Sequence, residues 1–358
     1  MLLSGKKKED IVIRTPKGID YHARILEVNR ETDAVSCCVE KDGGDDPDIT
    51  TGIKVYAAVS LLPENPGEVL LEGGEGVGRV TEPGLDQPVG AAAINSVPRS
   101  MIEKEVREVM EAFAWQGGLS VIISVPGGEE LAKKTFNPKL GITGGISILG
   151  TSGIVEPMST QAIKDTIRVE LRQKVAQGHT GVAVAPGNYG LDFMRETYDY
   201  DLDMAVKCAN YIGDTIDIAA ELGVEELLLI GHLGKLIKVS GGIMNTHSAV
   251  ADCRMELMAS AVILAGGDRD LAEEILSCTN TTQAYGLIRE AGLTEPFMNC
   301  VMGRIAEHLN RRANGRLRVE CIVYLNEAGL LGKTEGAVPL LEKIKQDKDV
   351  GEDRWQRR

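Results

Sequence analysis

Aromatic residues are scarce: Phe, Trp and Tyr make up only 4% of the 358 residues. The core must therefore be aliphatic, built from Val, Ile, Leu, Ala and Met. Positive charge is in deficit, with 39 Lys and Arg against 53 Asp and Glu, a formal net charge of −14. General nucleic-acid binding and attachment to anionic membranes both need a positive field, so neither is expected. No apolar run approaches the ~20 residues that span a bilayer. The opening MLLSGKKKED has no apolar signal core. The seven cysteines (Cys37, Cys38, Cys208, Cys253, Cys278, Cys300 and Cys321) are scattered and form no C-x-x-C pair. They read as reduced thiols of a cytoplasmic protein, mostly small core residues. Cys37 and Cys38 are adjacent in an expected strand, where their side chains point to opposite faces.

What is present is an ordinary globular mixture, 43% hydrophobic and 26% charged. The length suits two domains and a sizeable core. Residues 11–72 read as β: two extended runs around a Pro/Gly turn, then AVSCCVE, IKVYAAVSLL and VLLE. Residues 100–115 read as a helix, with Ser100 as N-cap and Glu103 completing a capping box. SVIISVP at 120–126 is a strand, and a helix follows over about 160–177. From 181 the rhythm changes. VAVA (182–185) and ELLLI (226–230) are short buried strands ending in glycine turns, a parallel α/β signature. Between them, 201–222 carries Leu202, Val206, Ala209, Ile212, Ile216 and Ala220 at helical spacing. Helical stretches are expected over 248–265, 269–291 and 296–313, and a last strand over 317–325. The fold class is therefore α+β: an α+β domain over 1–180, a smaller α/β domain with a short parallel sheet over 181–335, and a C-terminal helix with a frayed, charged tail over 336–358.

Several segments invite chemistry. GGEGVG at 73–78 places Gly74, Gly76 and Gly78 after a strand, but RVTEPGLDQPVG follows, and no helix can open there. That excludes a dinucleotide fingerprint and leaves either a hairpin turn or a nest of N–H groups for an anion or nucleoside. The acidic turn KDGGDDPDITTG at 41–52 includes Asp45 and Asp46 without EF-hand spacing. It is a solvated turn, or a carboxylate cluster facing a cation or ribose hydroxyls. The stretch 135–159 has little charge and many glycines, among them Gly144 and Gly145. A long aperiodic segment of this kind suits a ligand-lining role. It holds no Walker A sequence. In GHLGKLIKVSGGIMNTHS (231–248), His232 lies just past a strand, where open α/β sheets bind ligands. Lys235 follows, and Asn245, Thr246 and His247 are placed to cap the next helix. No H-E-x-x-H, serine elbow or catalytic Cys–His pattern occurs.

Four strings together, KDGGDDPDITTG, EGGEGVGRVTEPGL with AINSVPRSMI, TFNPKLGITGGISILGTSGIVEPMS and LLLIGHLGKLIKVSGGIMNTHSAVADCRMEL, resemble the cobalt-precorrin-5B C1-methyltransferase family of anaerobic cobalamin biosynthesis. The resemblance runs from about residue 2 to at least 265, and more weakly beyond. It implies S-adenosylmethionine-dependent methylation at C1 of a cobalt-bearing, ring-contracted tetrapyrrole, giving cobalt-precorrin-6A. It also implies a ribosomal-protein-S5-type α+β domain followed by a small parallel α/β domain. Family members usually begin with a segment like T-G-x-T-T-G-S-C-A, which this sequence starts after; the upstream DNA is expected to encode it in frame.

With the resemblance come expected roles. Asp45, Asp46, Gly74, Gly76 and Gly78 are the expected donor-binding residues. Asn95, Arg99, Asn137, Lys139, Gly144, Gly145, Lys235 and Asn245 are expected on the carboxylate-rich substrate, with Arg99 as the main carboxylate fork. His232 and His247 are the expected acid–base residues. Cobalt arrives inside the substrate, so no protein-bound metal is expected. The expected partners are the tetrapyrrole and, transiently, other enzymes of the pathway. Two other readings stay open: a non-catalytic carrier of corrin intermediates, and a phosphotransferase, which the missing phosphate loop disfavours.

Overall fold

The computed structural model describes residues 1–44, 48–150, 153–154 and 160–355, with side chains to residue 347. The chain forms two compact units, Met1–Ser159 and Thr160–Arg358. Among the described residues, no helix is long and apolar enough to cross a membrane.

The first unit opens with a hairpin, β1 (Asp10–Arg14) and β2 (Asp20–Arg24), paired antiparallel around the Pro/Gly turn. Then come β3 (Glu27–Arg30), β4 (Ala34–Glu40), β5 (Lys54–Leu62), β6 (Val69–Gly73), β7 (Arg79–Val80), α1 (Ser96–Ala112), β8 (Gly118–Ser124), α2 (Gly128–Ala132) and β9 (Ile142–Thr143). Five strands make one sheet in the order β3-β4-β5-β8-β6. β8 runs antiparallel to β5 and parallel to the edge strand β6. A parallel neighbour needs a crossover, and α1 lies within it. The core is aliphatic as composition required: Val77, Ala92, Ile94, Val121, Ile123, Val125 and Ile146.

Helix α1 starts at Ser96 rather than at the expected Ser100. Pro98 does not delay it, because a proline in the first turn gives up an N–H that has no intrahelical acceptor. The end is closed from outside the helix: Asp86 accepts from the Ser96 N–H at 2.5 Å and from its hydroxyl at 3.1 Å. The expected capping box is thus replaced by a distant carboxylate.

In the second unit, α3 (Thr160–Ala176), β10 (Gly181–Ala185), α4 (Leu191–Tyr198), β11 (Val206–Lys207), α5 (Ile212–Glu221), β12 (Glu226–His232), α6 (Leu233–Val239), α7 (Arg254–Leu264), α8 (Arg269–Leu276), α9 (Thr281–Glu290), α10 (Thr294–Ala313), β13 (Arg318–Leu325), β14 (Gly329–Lys333) and α11 (Ala337–Trp355) follow in order. The sheet order is β11-β10-β12-β13-β14, parallel except for the β13–β14 pair. Both faces are covered. Val182, Val184, Leu227, Leu229, Val319 and Cys321 face a large core that holds residues of α5 to α10. Ala183, Ala185, Leu228, Ile230, Ile322 and Tyr324 face Met194 and the α11 residues Leu340 and Leu341. Alternate residues feed opposite layers, which explains why these strands read as unbroken apolar runs.

The structure revises five expectations here. The division falls at 159/160 and not near 180, because Ile167 and Leu171 of α3 are fully buried in the second unit's core. Residues 201–222 are not one helix. Ala209 adopts a left-handed φ of +49°, Val206 and Lys207 pair with β10, and only Ile212–Glu221 is helical. The stretch 269–291 breaks at Ser277–Asn280 into α8 and α9. β13 is not the last strand, since β14 returns antiparallel beside it. The C-terminal segment continues as helix to Trp355, and Lys343 pairs with Glu226 at 2.5 Å.

Candidate functional site

The switch in strand order lies between β10 and β12: the chain leaves β10 for β11 on one side and returns to β12 on the other. Ligands of open α/β sheets bind at the carboxyl edge of such a point. A cleft of about 530 Å³ opens there. Pro186, Gly187 and Tyr189 come from the turn after β10, and Asn210 from the turn after β11. Gly231 and His232 close β12, Lys235 and Lys238 lie one turn apart on α6, and Tyr324 comes from β13. Thr246, His247 and Ser248 form one wall; Arg254 and Asn280–Thr282 complete it. Among the described residues, no carboxylate lines the cleft.

His232 joins strand to helix. It is the extended N-cap residue of α6, and its Nδ1 accepts from the Gly234 N–H at 3.0 Å. It pairs in register with Tyr324, and the two rings meet edge-on, 5.8 Å between centroids. Burial holds its pKa below the ordinary 6.5, with Glu327 opposing in part. An Nδ1 that accepts leaves the neutral ring's proton on Nε2. Burial also pushes the Tyr324 hydroxyl up to about 12, so it stays protonated.

The two lysines bind loops. Lys238 is 1% exposed. Its ammonium donates to the Thr246 carbonyl (3.1 Å), Ser248 Oγ (3.2 Å) and the Ala251 carbonyl (2.9 Å), with Asp252 at 3.7 Å. It therefore holds the wall that carries His247. Asp252 is also gripped by Arg254 through Nε at 2.5 Å and Nη2 at 3.0 Å. Lys235 donates to Asn210 Oδ1 at 3.0 Å and, over longer distances, to the carbonyls of Pro186 (3.4 Å) and Ala209 (3.5 Å). Among the described residues it has no ion-pair partner. Burial, first, and the Lys238 charge lower its pKa, with the buried Cys208 thiol opposing.

Comparison with known proteins decides the family. The model of the family described as CbiD matches residues 1–157, and the CbiD C-terminal domain matches residues 245–335. A cobalt-precorrin-5B C(1)-methyltransferase of Ruminiclostridium cellulolyticum is 45% identical over 98% of this chain and 92% of its own length. One from Alkaliphilus metalliredigens is 43% identical over 97% and 90%. The chain belongs to the CbiD family. A crystal structure of a cobalamin biosynthesis protein (cbiD) from Archaeoglobus fulgidus is 25% identical, covering 70% of this chain and 77% of that one, with a TM-score of 0.35.

Within this family member, the residues singled out in the sequence fall into three groups. His232, Lys235 and His247 meet at the cleft. Asn245 stands beside it, its Oδ1 accepting from the His247 N–H at 3.1 Å. Asn245 and His247 do not cap a helix, because α7 begins only at Arg254, after Cys253 in a left-handed conformation.

A second group is consumed by packing in the first unit. Arg99 donates to the carbonyls of Ile94 (2.8 Å), Leu71 (3.1 Å) and Ala92 (3.4 Å). That guanidinium is a backbone staple and not a free fork for substrate. Asn137 is buried, donating to the Gly145 carbonyl at 3.2 Å and accepting from Ser147 Oγ at 3.0 Å. The Gly74 and Gly78 N–H groups donate to the carbonyls of Ile123 and Ile146, so they are spent. A Cβ at Gly76 would lie 1.9 Å from the Val125 carbonyl oxygen, and one at Gly145 2.3 Å from that of Gly76. These glycines let two backbones touch. The Asn95 N–H donates to the Ile148 carbonyl.

The third group is exposed or undescribed. Lys139 and Gly144 are exposed, and Gly144 (φ +77°) has open space beside it. Asp45 and Asp46 lie outside the described residues. Sequence reasoning missed Asn210, Lys238, Arg254, Thr281 and Tyr324. Only Lys238 carried a usable signal, three residues after Lys235 and hence on the same helix face.

Proposed function

We propose that this chain methylates C1 of cobalt-precorrin-5B, with S-adenosylmethionine as donor, to give cobalt-precorrin-6A in anaerobic cobalamin biosynthesis. The observation that carries the reading is 45% identity to a relative of that name across 98% of the chain. A carrier would need the cleft but no donor, and none of the relatives cited bears such a name. Bound S-adenosylmethionine supplies a methyl group on a cationic sulfonium. Transfer to carbon is an in-line displacement, so the protein's task is orientation, which can supply ~7–11 kcal/mol.

The cleft of the second unit is the site best suited to take part. Its volume, about 530 Å³, lies within the ~300–1,000 Å³ usual for small-molecule sites. Tyr189, an exposed ring at the cleft, can lie against a flat ligand, while Asn210, Thr281 and Thr282 offer hydrogen bonds to its hydroxyl or amino groups. Lys238 and Arg254 keep the His247 wall in place. Within the first unit, Lys139, Gly144, Asp45 and Asp46 are the proposed ligand contacts. A cytoplasmic setting belongs to this reading. So does a kinship of the first unit with the ribosomal-protein-S5-type domain, supported by the sheet strands β3 to β6, the helix α1 and the returning strand β8, which runs parallel to β6.

The test is incubation of folded protein with methyl-labelled S-adenosylmethionine, with and without cobalt-precorrin-5B. Label is expected in the tetrapyrrole only when both are present. Tight binding of the tetrapyrrole without label transfer would support the carrier instead.

A further inference from the structure

We infer that the cleft of the second unit recognises a carboxylate of the reactants through the Lys235 ammonium and the Nε2–H of His232, so that His232 is a donor and not the base. The inference rests on the methyltransferase reading for the identity of its ligand. Lys235 faces three acceptors, two of them backbone carbonyls that can only accept. Three acceptors require three protons, so the group is an ammonium. Two of those bonds, at 3.4 and 3.5 Å, are long and readily exchanged for a stronger partner. A half-buried ammonium served only by neutral acceptors is a charge awaiting a counterion.

The surroundings point the same way. Lys235, Lys238 and Arg254 line the cleft, and among the described residues the one carboxylate that pairs with any of them is Asp252, held by the other two. A chain of net charge −14 has thus gathered cations at a single concave place. The methyl donor's sulfonium would be repelled there; a carboxylate would be drawn in. Acetate and propionate groups of the tetrapyrrole and the amino-acid carboxylate of the donor share that chemistry.

His232 fits as a second donor. Its ring lines the cleft, and Nδ1 is occupied by the Gly234 N–H. Among the described residues, Nε2 has no partner, and it is not among the buried atoms lacking one, so it reaches solvent. Proton abstraction through Nε2 would require a lone pair that this tautomer does not have.

The experiment is calorimetric titration of the full chain with citrate, cobalt-precorrin-5B and S-adenosylhomocysteine, for wild type, Lys235→Gln and His232→Asn. Asn keeps an oxygen for the Gly234 N–H but lacks the reach of Nε2. Citrate binding to wild type is expected, at least tenfold weaker in Lys235→Gln and weaker in His232→Asn. Loss confined to cobalt-precorrin-5B assigns the carboxylate to the substrate, and loss confined to S-adenosylhomocysteine assigns it to the donor; either supports the site. In turnover, His232→Asn should raise KM and leave kcat within a few-fold. Unchanged affinity for all three ligands in folded Lys235→Gln overturns the inference. So does a hundredfold fall in kcat for His232→Asn at constant KM. Should Lys235→Gln not fold, ¹⁵N spectra of wild type decide: citrate must perturb Lys235 Nζ and leave His232 protonated on Nε2. Lys235-dependent citrate binding without methyl transfer would remove the methyltransferase reading and keep the carboxylate site.

Discussion

Arg99 on helix α1 reaches the backbone carbonyl of Leu71 on strand β6, 3.1 Å away, and two more carbonyls at Ile94 and Ala92. One side chain ties the crossover helix to the edge strand and to the loop before the helix. Arg99→Lys replaces a planar fork by a single ammonium, so at least one carbonyl loses its donor. A loss of about 2–3 kcal/mol is expected, the range for a charge-assisted bond plus an abandoned acceptor. Urea unfolding measures it, and substrate affinity should not change. Normal stability with weakened substrate binding would return Arg99 to the site.

Gly76 and Gly144 both have left-handed φ, +71° and +77°, yet they should respond differently to alanine. At Gly76 the new methyl would sit 1.9 Å from the Val125 oxygen; at Gly144 nothing lies within 4 Å. Gly144→Ala should cost only the conformational strain, ~1–2 kcal/mol. Gly76→Ala should exceed ~4 kcal/mol or prevent folding. Equal thermal melting of the two variants would contradict the packing role given to GGEGVG.

Lys238→Met keeps the apolar stem but strips donors from the Thr246 and Ala251 carbonyls. Each buried acceptor left alone costs about 1–3 kcal/mol. The wall over 246–252 should open first, seen as faster hydrogen exchange at the Ala249 and Ala251 amides. Exchange there at the wild-type rate would show that Lys238 does not hold the loop.

The folded pKa of His232 lies below its ordinary 6.5 because burial disfavours the charged ring. The unfolded chain therefore binds the proton more readily. Stability is complete above the unfolded pKa and is lost as pH falls from about 6.5 toward the folded value, after which it levels. Protonation would also set two donors face to face at Gly234. His232→Asn should shrink the drop in melting temperature between pH 7 and pH 5. His179, also lowered by burial, is the second contributor in that window and supplies the control variant. An unaltered drop in His232→Asn would contradict this account of the cap.

Much of the fold could be read from the chain. The early strands, the glycine turns after β10 and β12 and the crossover helix follow from local pattern. The failures have physical causes. Leu202, Val206 and Ile212 keep helical spacing, yet Leu202 belongs to one face of the sheet while Val206 and Ile212 belong to the other. Only the pairing of Val206 with Val184 separates them, and that contact is invisible to periodicity. The cleft was half legible. His232 and Lys235 stand out because they follow a recognisable strand. Asn210, Thr281 and Tyr324 arrive from distant segments that only the sheet brings together. Arg99 and Asn137 bond to the backbone, which the sequence does not reveal, because a polar residue in a glycine-rich setting looks the same whether it serves a ligand or the backbone.

The central claim is that the chain makes a carbon–methyl bond at C1. Its most direct measurement is a single turnover with ¹³C-methyl S-adenosylmethionine and cobalt-precorrin-5B, read by ¹³C spectroscopy of the tetrapyrrole. The account predicts one labelled methyl, on C1, formed in proportion to S-adenosylhomocysteine. Unlabelled tetrapyrrole recovered from folded protein, or label on any other carbon, would contradict it.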